Sequence, residues 1–262
     1  MDYSLSNIEI TRDDAISLVL GQNLETILRD LNNGHLIIIR SYLNAEVVQS
    51  LRQLCSSLID KWEDEYMPFD IGIPNNKRVH TPRPESVVPA YFKALNMYPW
   101  NSSSVNIFND CMHLYQLRAG LVGKSAESFI SHYDSGYAAR LALQFYPENK
   151  GYFKCHRDPY DIHQIAIPTI ALSNHGIDFS SGGFYLVGQQ NRKVHLDSIL
   201  EPGDAILFHS LIEHGVDIPT SVNDPKFLLD DIGLLSCKIP GRLMLLCAVN
   251  QLANSQKSFS HV

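Results

Sequence analysis

The chain has 262 residues, with 21 Lys and Arg against 28 Asp and Glu, and 45% of its residues are hydrophobic. That length supports a sizeable core, the mildly acidic balance without a basic stripe argues against nucleic acid as a partner, and the longest apolar runs are too short to span a bilayer. Five cysteines without paired close spacing argue against both a disulfide framework and a thiolate zinc site.

The N-terminus, Met1-Asp2-Tyr3-Ser4, carries neither the basic nor the apolar region of a secretory signal, so cytoplasmic residence is the expectation. No linker-like composition or fixed-period repeat interrupts the chain. Residues 1–262 are therefore read as one domain, a mostly helical support and lid over 1–137 followed by a β-rich core over 138–250. In the first part, Leu24, Ile27, Leu28 and Leu31 form a helical stripe that Gly34 terminates, and Leu36–Ile39 is a short strand. Asn44 caps a second helix whose apolar stripe is Val47, Leu51, Leu54, Leu58 and Trp62. From about Met67 to Pro89 there is Pro, Gly, Asn and His without periodicity, which predicts a long loop. Lys77, Arg78, His80 and Arg83 within it read as a solvated face in preference to a lid that recognises an acidic group.

After Ala138 the pattern changes to short strands separated by turn residues. The predicted strands are Leu141–Tyr146, Tyr152–His156, Gln164–Leu172, Gly183–Val187, Lys193–Ser198, Ala205–His209, Gly215–Ile218 and Leu243–Val249. Eight strands suit a double-sheet jelly roll, and with helices from the N-terminal half packed against it the fold class is α+β. Pro168 falls inside the third run, where proline kinks or divides a strand.

Three His-x-Asp triplets occur: His132-Tyr133-Asp134, His156-Arg157-Asp158 and His195-Leu196-Asp197. In an extended segment, residues i and i+2 project to one side, so such a pair offers one nitrogen and one carboxylate oxygen to a single metal ion. Only the middle triplet is followed by the context that supplies a third ligand: Gly182-Gly183, the turn Pro202-Gly203-Asp204, the strand Ala205–Phe208, and His214. Two histidines and one carboxylate on one face of Fe(II) leave the opposite positions open. His209 competes with His214 for the third place. His214 is preferred because it follows a short turn and opens another strand, whereas His209 reads as a strand-end histidine. His163, His175 and His195 read as ordinary surface or strand-end residues.

Along Arg140–Val249 these motifs fall in an order that resembles the Fe(II)/2-oxoglutarate-dependent oxygenases, in the prolyl-4-hydroxylase-like branch. Leu143-Gln144-Phe145-Tyr146-Pro147 runs into Gly151-Tyr152-Phe153-Lys154-Cys155-His156-Arg157-Asp158-Pro159, similar to that family's tyrosine-bearing strand and first two ligands. Ser181-Gly182-Gly183-Phe184, then Gly203-Asp204 with Phe208 and His214-Gly215-Val216, resemble the approach to the last ligand. Gly241-Arg242-Leu243-Met244 resembles the arginine that grips the distal carboxylate of 2-oxoglutarate. Two departures stand out: residues 220–240 intervene between His214 and Arg242, and Met244 occupies a position where many relatives carry a small hydroxyl residue.

The resemblance implies His156, Asp158 and His214 as ligands of Fe(II), Arg242 and Tyr146 as contacts of 2-oxoglutarate, and dioxygen as the second co-substrate. It implies hydroxylation of a C–H bond, or a related oxidation, with release of succinate and CO2. Halogenating relatives replace the carboxylate that Asp158 retains. Tyr146 is equally readable as a core aromatic, and Arg140 either reaches the same chamber or lies on the outer face of the sheet. A small-molecule substrate such as an amino acid or biosynthetic intermediate is preferred. Hydroxylation of a protein side chain is the second expectation, and a non-catalytic jelly-roll binding protein is the third.

Overall fold

The computed structural model describes residues 5–20, 24–83, 87–133, 136–158, 164–221 and 239–253. Among the described residues, six α-helices fall between Arg12 and Ile130: α1 (Arg12–Leu20), α2 (Leu24–Asn32), α3 (Ala45–Leu58), α4 (Val105–Asp110), α5 (Met112–Leu121) and α6 (Glu127–Ile130). Helix α2 ends where predicted, with Gly34 taking a φ of 85° that a side chain would oppose. Helix α3 starts where the Asn44 side chain accepts the amide of Val47 at 2.9 Å. Its inward face is rotated from the predicted stripe: Val48, Leu51, Arg52 and Cys55 are buried, while Leu54 is 37% exposed. The reason is an inward arginine, which apolar periodicity cannot register. Arg52 is 1% exposed and grips Asp178 through two hydrogen bonds of 2.7 and 2.9 Å.

The N-terminal half is less helical than expected, since it also holds four strands: β1 (Ser6–Thr11), β2 (His35–Arg40), β3 (Asn76–His80) and β4 (Ala90–Met97). Strand β3 lies within the stretch expected to be a loop and pairs antiparallel with β4. Its composition concealed it, because Asn76, Arg78 and His80 carry no apolar alternation, and the alternation of β4 is muted by Ala90 and Ala94.

Eight strands follow: β5 (Tyr137–Pro147), β6 (Tyr152–His156), β7 (Thr169–Ala171), β8 (Ser181–Val187), β9 (Lys193–His195), β10 (Ala205–Leu207), β11 (His214–Thr220) and β12 (Gly241–Gln251). They correspond one for one to the predicted set. Regular pairing in β7 is confined to residues after Pro168, with Ala166 bridging separately to His209, so the proline divides that run. Most of the 220–240 intervening stretch lies outside the described residues, as do Asp134 and His163.

The hydrogen-bonded order is β1-β2-β10-β7-β12-β5-β4-β6-β11-β8-β9, with β3 on the side of β4. Strands β1 to β5, β7, β10 and β12 make the larger layer, and β6, β8, β9 and β11 the smaller. Strand β4 joins them, pairing with β5 along Lys93–Met97 and with β6 at Ala90 and Tyr91. Alternation along β5 and β12 then separates two cores. Leu141, Leu143, Phe145, Leu243 and Leu245 face the helices with Leu114, Leu117 and Phe129. Tyr146 and Met244 instead face into the roll with Phe92, Phe184, Phe208 and Val216. No helix among the described residues is long and apolar enough to cross a membrane.

Candidate metal centre

His156 ends β6 and His214 opens β11, and these two residues are paired in the antiparallel register of the smaller layer. That pairing brings together side chains distant in the chain, and their ring centroids lie 4.3 Å apart. Asp158 follows His156 by two residues, and its amide donates to the Ser210 carbonyl at 3.1 Å, which fixes the chain just past the strand end. His156, Asp158 and His214 thus offer ligand atoms that all lie within 4.8 Å of one another. The Asp158 carboxylate is 3.6 Å from His156 Nε2 and 3.1 Å from His214 Nε2.

Both imidazoles are oriented from behind. Nδ1 of His156 is 2.9 Å from the Lys154 carbonyl, and Nδ1 of His214 is 2.9 Å from the Ile212 carbonyl. A carbonyl only accepts, so each Nδ1 carries a proton, and Nε2, the atom facing Asp158, is the one a metal ion would take. Burial favours the neutral form of Asp158, but hydrogen bonds from His156 and His214 outweigh it and hold the carboxyl well below its ordinary range. Two neutral imidazole nitrogens and one ionised carboxylate are a donor set suited to a divalent transition metal.

His209 stands apart from this group. It bridges to Ala166 and its Nδ1 accepts the Leu211 amide at 3.2 Å, while burial keeps its ring below the usual histidine pKa. His195 lies 3.6 Å from Asp217, and His175 packs edge-on against Phe179. In β3, Lys77 and Arg78 are matched by Glu65 and Asp64, but the strand is buried to half-buried throughout and His80 stacks on Phe92, so the stretch is not the solvated face expected.

The triad opens into a cavity with about 450 Å³ of empty space, counting that open to solvent at its mouth. Phe153, Ile167, Phe184, Phe208, Val216, Met244 and Leu246 make its walls largely apolar, and Gln144, Tyr146 and Thr169 add polar groups. Tyr146 is buried and donates to Gln144 Oε1 at 2.9 Å. Burial raises its phenol above the ordinary value, so it serves as a neutral donor. Arg242 is 1% exposed and lies behind Tyr146 and Met244, outside the cavity lining. Its Nε donates to both Asp197 oxygens at 3.0 and 2.8 Å, and its Nη1 touches the Met244 sulfur at 2.7 Å.

Asp197 is the residue that sequence reasoning passed over. Its triplet gave no metal site, but its carboxylate also accepts the Phe184 amide at 2.6 Å, locking Arg242 to β8. The signal was Gly183, which has a φ of 84° and where a Cβ would collide with Asp197 Oδ2. A glycine at that position clears room for the carboxylate.

No family model matches the chain, and no curated protein sequence does. Among solved structures, a prolyl hydroxylase from Trichoplax adhaerens in complex with a hypoxia inducible factor peptide aligns over 95% of this chain and 96% of its own, at 14% identity and a TM-score of 0.54. JOX2, solved with 2OG, Fe and JA, aligns over 97% of this chain and 77% of its own, at 10% identity and a TM-score of 0.54. A Pseudomonas putida prolyl-4-hydroxylase aligns over 87% of this chain and 98% of its own, at 14% identity and a TM-score of 0.50. Identity this low speaks to architecture alone. The chain therefore shares the fold of the prolyl-4-hydroxylase-like Fe/2-oxoglutarate oxygenases.

Proposed function

We propose that the protein is an Fe(II)- and 2-oxoglutarate-dependent oxygenase that hydroxylates a C–H bond of a small metabolite. The observation that carries the reading is the convergence of His156, Asp158 and His214 at the inner wall of an apolar cavity. When bound, iron and 2-oxoglutarate supply the oxidising chemistry, in which dioxygen is consumed and succinate and CO2 are released. His156 and His214 would hold the metal through Nε2, with the tautomers already set by the carbonyls of Lys154 and Ile212. Asp158, kept ionised, would complete one side of the coordination sphere and leave the other open.

Arg242 would take the distal carboxylate of 2-oxoglutarate. Asp197 engages the Nε edge, whereas the Nη side meets only a thioether, an acceptor weak enough for a carboxylate to displace. Tyr146 lies alongside as a neutral phenol that would donate to the same carboxylate in place of Gln144. Phe153, Phe184 and Phe208 would exclude water from the reacting centre, so the protein's contribution is chiefly position and dryness.

The test is Fe(II)-dependent formation of succinate from 2-oxoglutarate, with and without candidate metabolites and peptides. Stimulated turnover that disappears in His156→Ala, together with a fall of at least about 100-fold in Mn(II) affinity by calorimetry, is the expected result. Stimulation by peptides alone would transfer the activity to protein side chains. Failure to bind Mn(II) would leave a jelly-roll binding protein.

A further inference from the structure

We propose that Arg140 anchors a carboxylate of the substrate at the outer end of the chamber, which makes the substrate an elongated organic acid. The oxidation of that acid rests on the oxygenase reading above, but the anchor rests on the geometry around Arg140.

Along β5 alternate residues share a face, and Gln144 and Tyr146 line the cavity, so Ala142 and Arg140 project to the same side. The hydrogen bonds agree with that placement. Arg140 Nη1 donates to Asn96 Oδ1 on β4, and Nε donates to Asn250 Oδ1 on β12, each at 2.9 Å. Asn250 stands on the same face of β12 as Arg242 and Met244, by the same two-residue alternation. In register, Arg242 lies opposite Tyr146 and Ala248 lies opposite Arg140, so the two arginines mark opposite ends of one surface. Arg140 is four residues outward from Gln144, about 13 Å at roughly 3.3 Å per residue, and the side chain between them on that face is the small Ala142.

The two arginines differ in what meets their charge. Arg242 faces Asp197, and Arg40, Arg52, Arg78 and Arg157 each have a carboxylate in ion-pair contact. Half-buried Arg140 has two neutral amides, and among the described residues no carboxylate pairs with it. Those amides are built into place. Asn96 Nδ2 donates to Asn76 Oδ1 at 3.1 Å, Asn76 Nδ2 donates to the Tyr98 hydroxyl at 2.8 Å, and both asparagines are buried. A guanidinium held rigidly while half-desolvated, with Nη2 lacking a protein partner among the described residues, retains the edge that a carboxylate takes in bidentate fashion. An anionic ligand supplies the missing counter-charge.

Matched probe pairs test the anchor: octanoate against octanamide, and 3-phenylpropanoate against 3-phenylpropanamide, each titrated by ligand-detected NMR. Wild type is expected to bind each acid at least about 10-fold more tightly than its amide, since a charge-assisted pair is worth more than a neutral one. Arg140→Gln should erase the preference and Arg140→Lys should keep part of it. Asn250→Asp sets a carboxylate against Nε at an exposed position while leaving Arg140 in place, so it should erase the preference even if Arg140→Gln folds poorly. Equal binding of acids and amides to wild type, or an acid preference that survives both Arg140→Gln and Asn250→Asp, would overturn the proposal. Mn(II) calorimetry separates the two readings. An acid preference without metal binding would sink the oxygenase and leave the anchor standing, whereas metal binding without an acid preference would sink the anchor alone.

Discussion

His80 is stacked on Phe92 with ring centroids 4.1 Å apart, and burial, aided by Arg78 and Arg140, lowers its pKa from 6.5 to about 4. Above pH 6.5 the ring is neutral in folded and unfolded chains alike, so it has no influence on stability there. Between pH 6.5 and 4 the unfolded chain binds a proton that the folded chain refuses, so stability falls as the pH falls. His80→Leu should remove this contribution while keeping an apolar contact with Phe92. The melting temperature of the variant, compared with wild type, should gain steadily from pH 6.5 to pH 4, and a constant difference over that window would refute the assignment. Asp197 invites a different measurement. Asp197→Ala should leave Arg242 free to turn and raise the KM for 2-oxoglutarate by about 10-fold with a smaller change in kcat, as expected when an aligned ionic contact is loosened before the chemical step. The gathering of His156, Asp158 and His214 was legible because a candidate metal site demands particular atoms at particular spacing. Asp197 was hidden because an aspartate that positions an arginine needs no local motif, only a partner that folding delivers from 45 residues away.

Elements were legible where one face is apolar. The strands β5 to β12 and the helices α2 and α3 announced themselves through alternation, turn residues and an asparagine cap, whereas β3 was concealed by its polar inward face. Helix α3 shows the limit of periodicity more sharply. Its pattern gave the right element with the wrong face, because Arg52 is drawn inward by Asp178, a residue that also accepts the amides of Asn174 and Ile239. Arg52 in addition donates to the Leu172 carbonyl at 2.7 Å, so one buried cation ties α3 to the segments before β8 and β12. Arg52→Met should therefore cost about 3–5 kcal/mol in guanidinium unfolding, because it strands a buried carboxylate. The loss should shrink in the double variant Arg52→Met/Asp178→Asn, where no charge is stranded. A loss below about 1 kcal/mol in the single variant would mean that the pair contributes little.

For the molecule as a whole, the α+β class and the jelly roll were readable from eight turn-bounded strands, but the way β4 joins the two layers was not, since pairing partners leave little trace in a single sequence. The pairing of β12 has a consequence for how this protein comes to be folded. Gly241–Gln251 is hydrogen-bonded to β5 along its whole length and to β7 on its other side, so a strand that follows both of them in sequence occupies the middle of the larger layer. Removing residues from 241 onward should leave β5 and β7 with bare edges and a split apolar face, and the product should be insoluble or rapidly cleaved by protease. During synthesis the same geometry imposes a wait. β5 and β7 leave the ribosome well before Gln251 does, so between those moments the nascent chain carries an open seam that only β12 can fill, and chaperones that shield strand edges would govern its yield more than its final stability does.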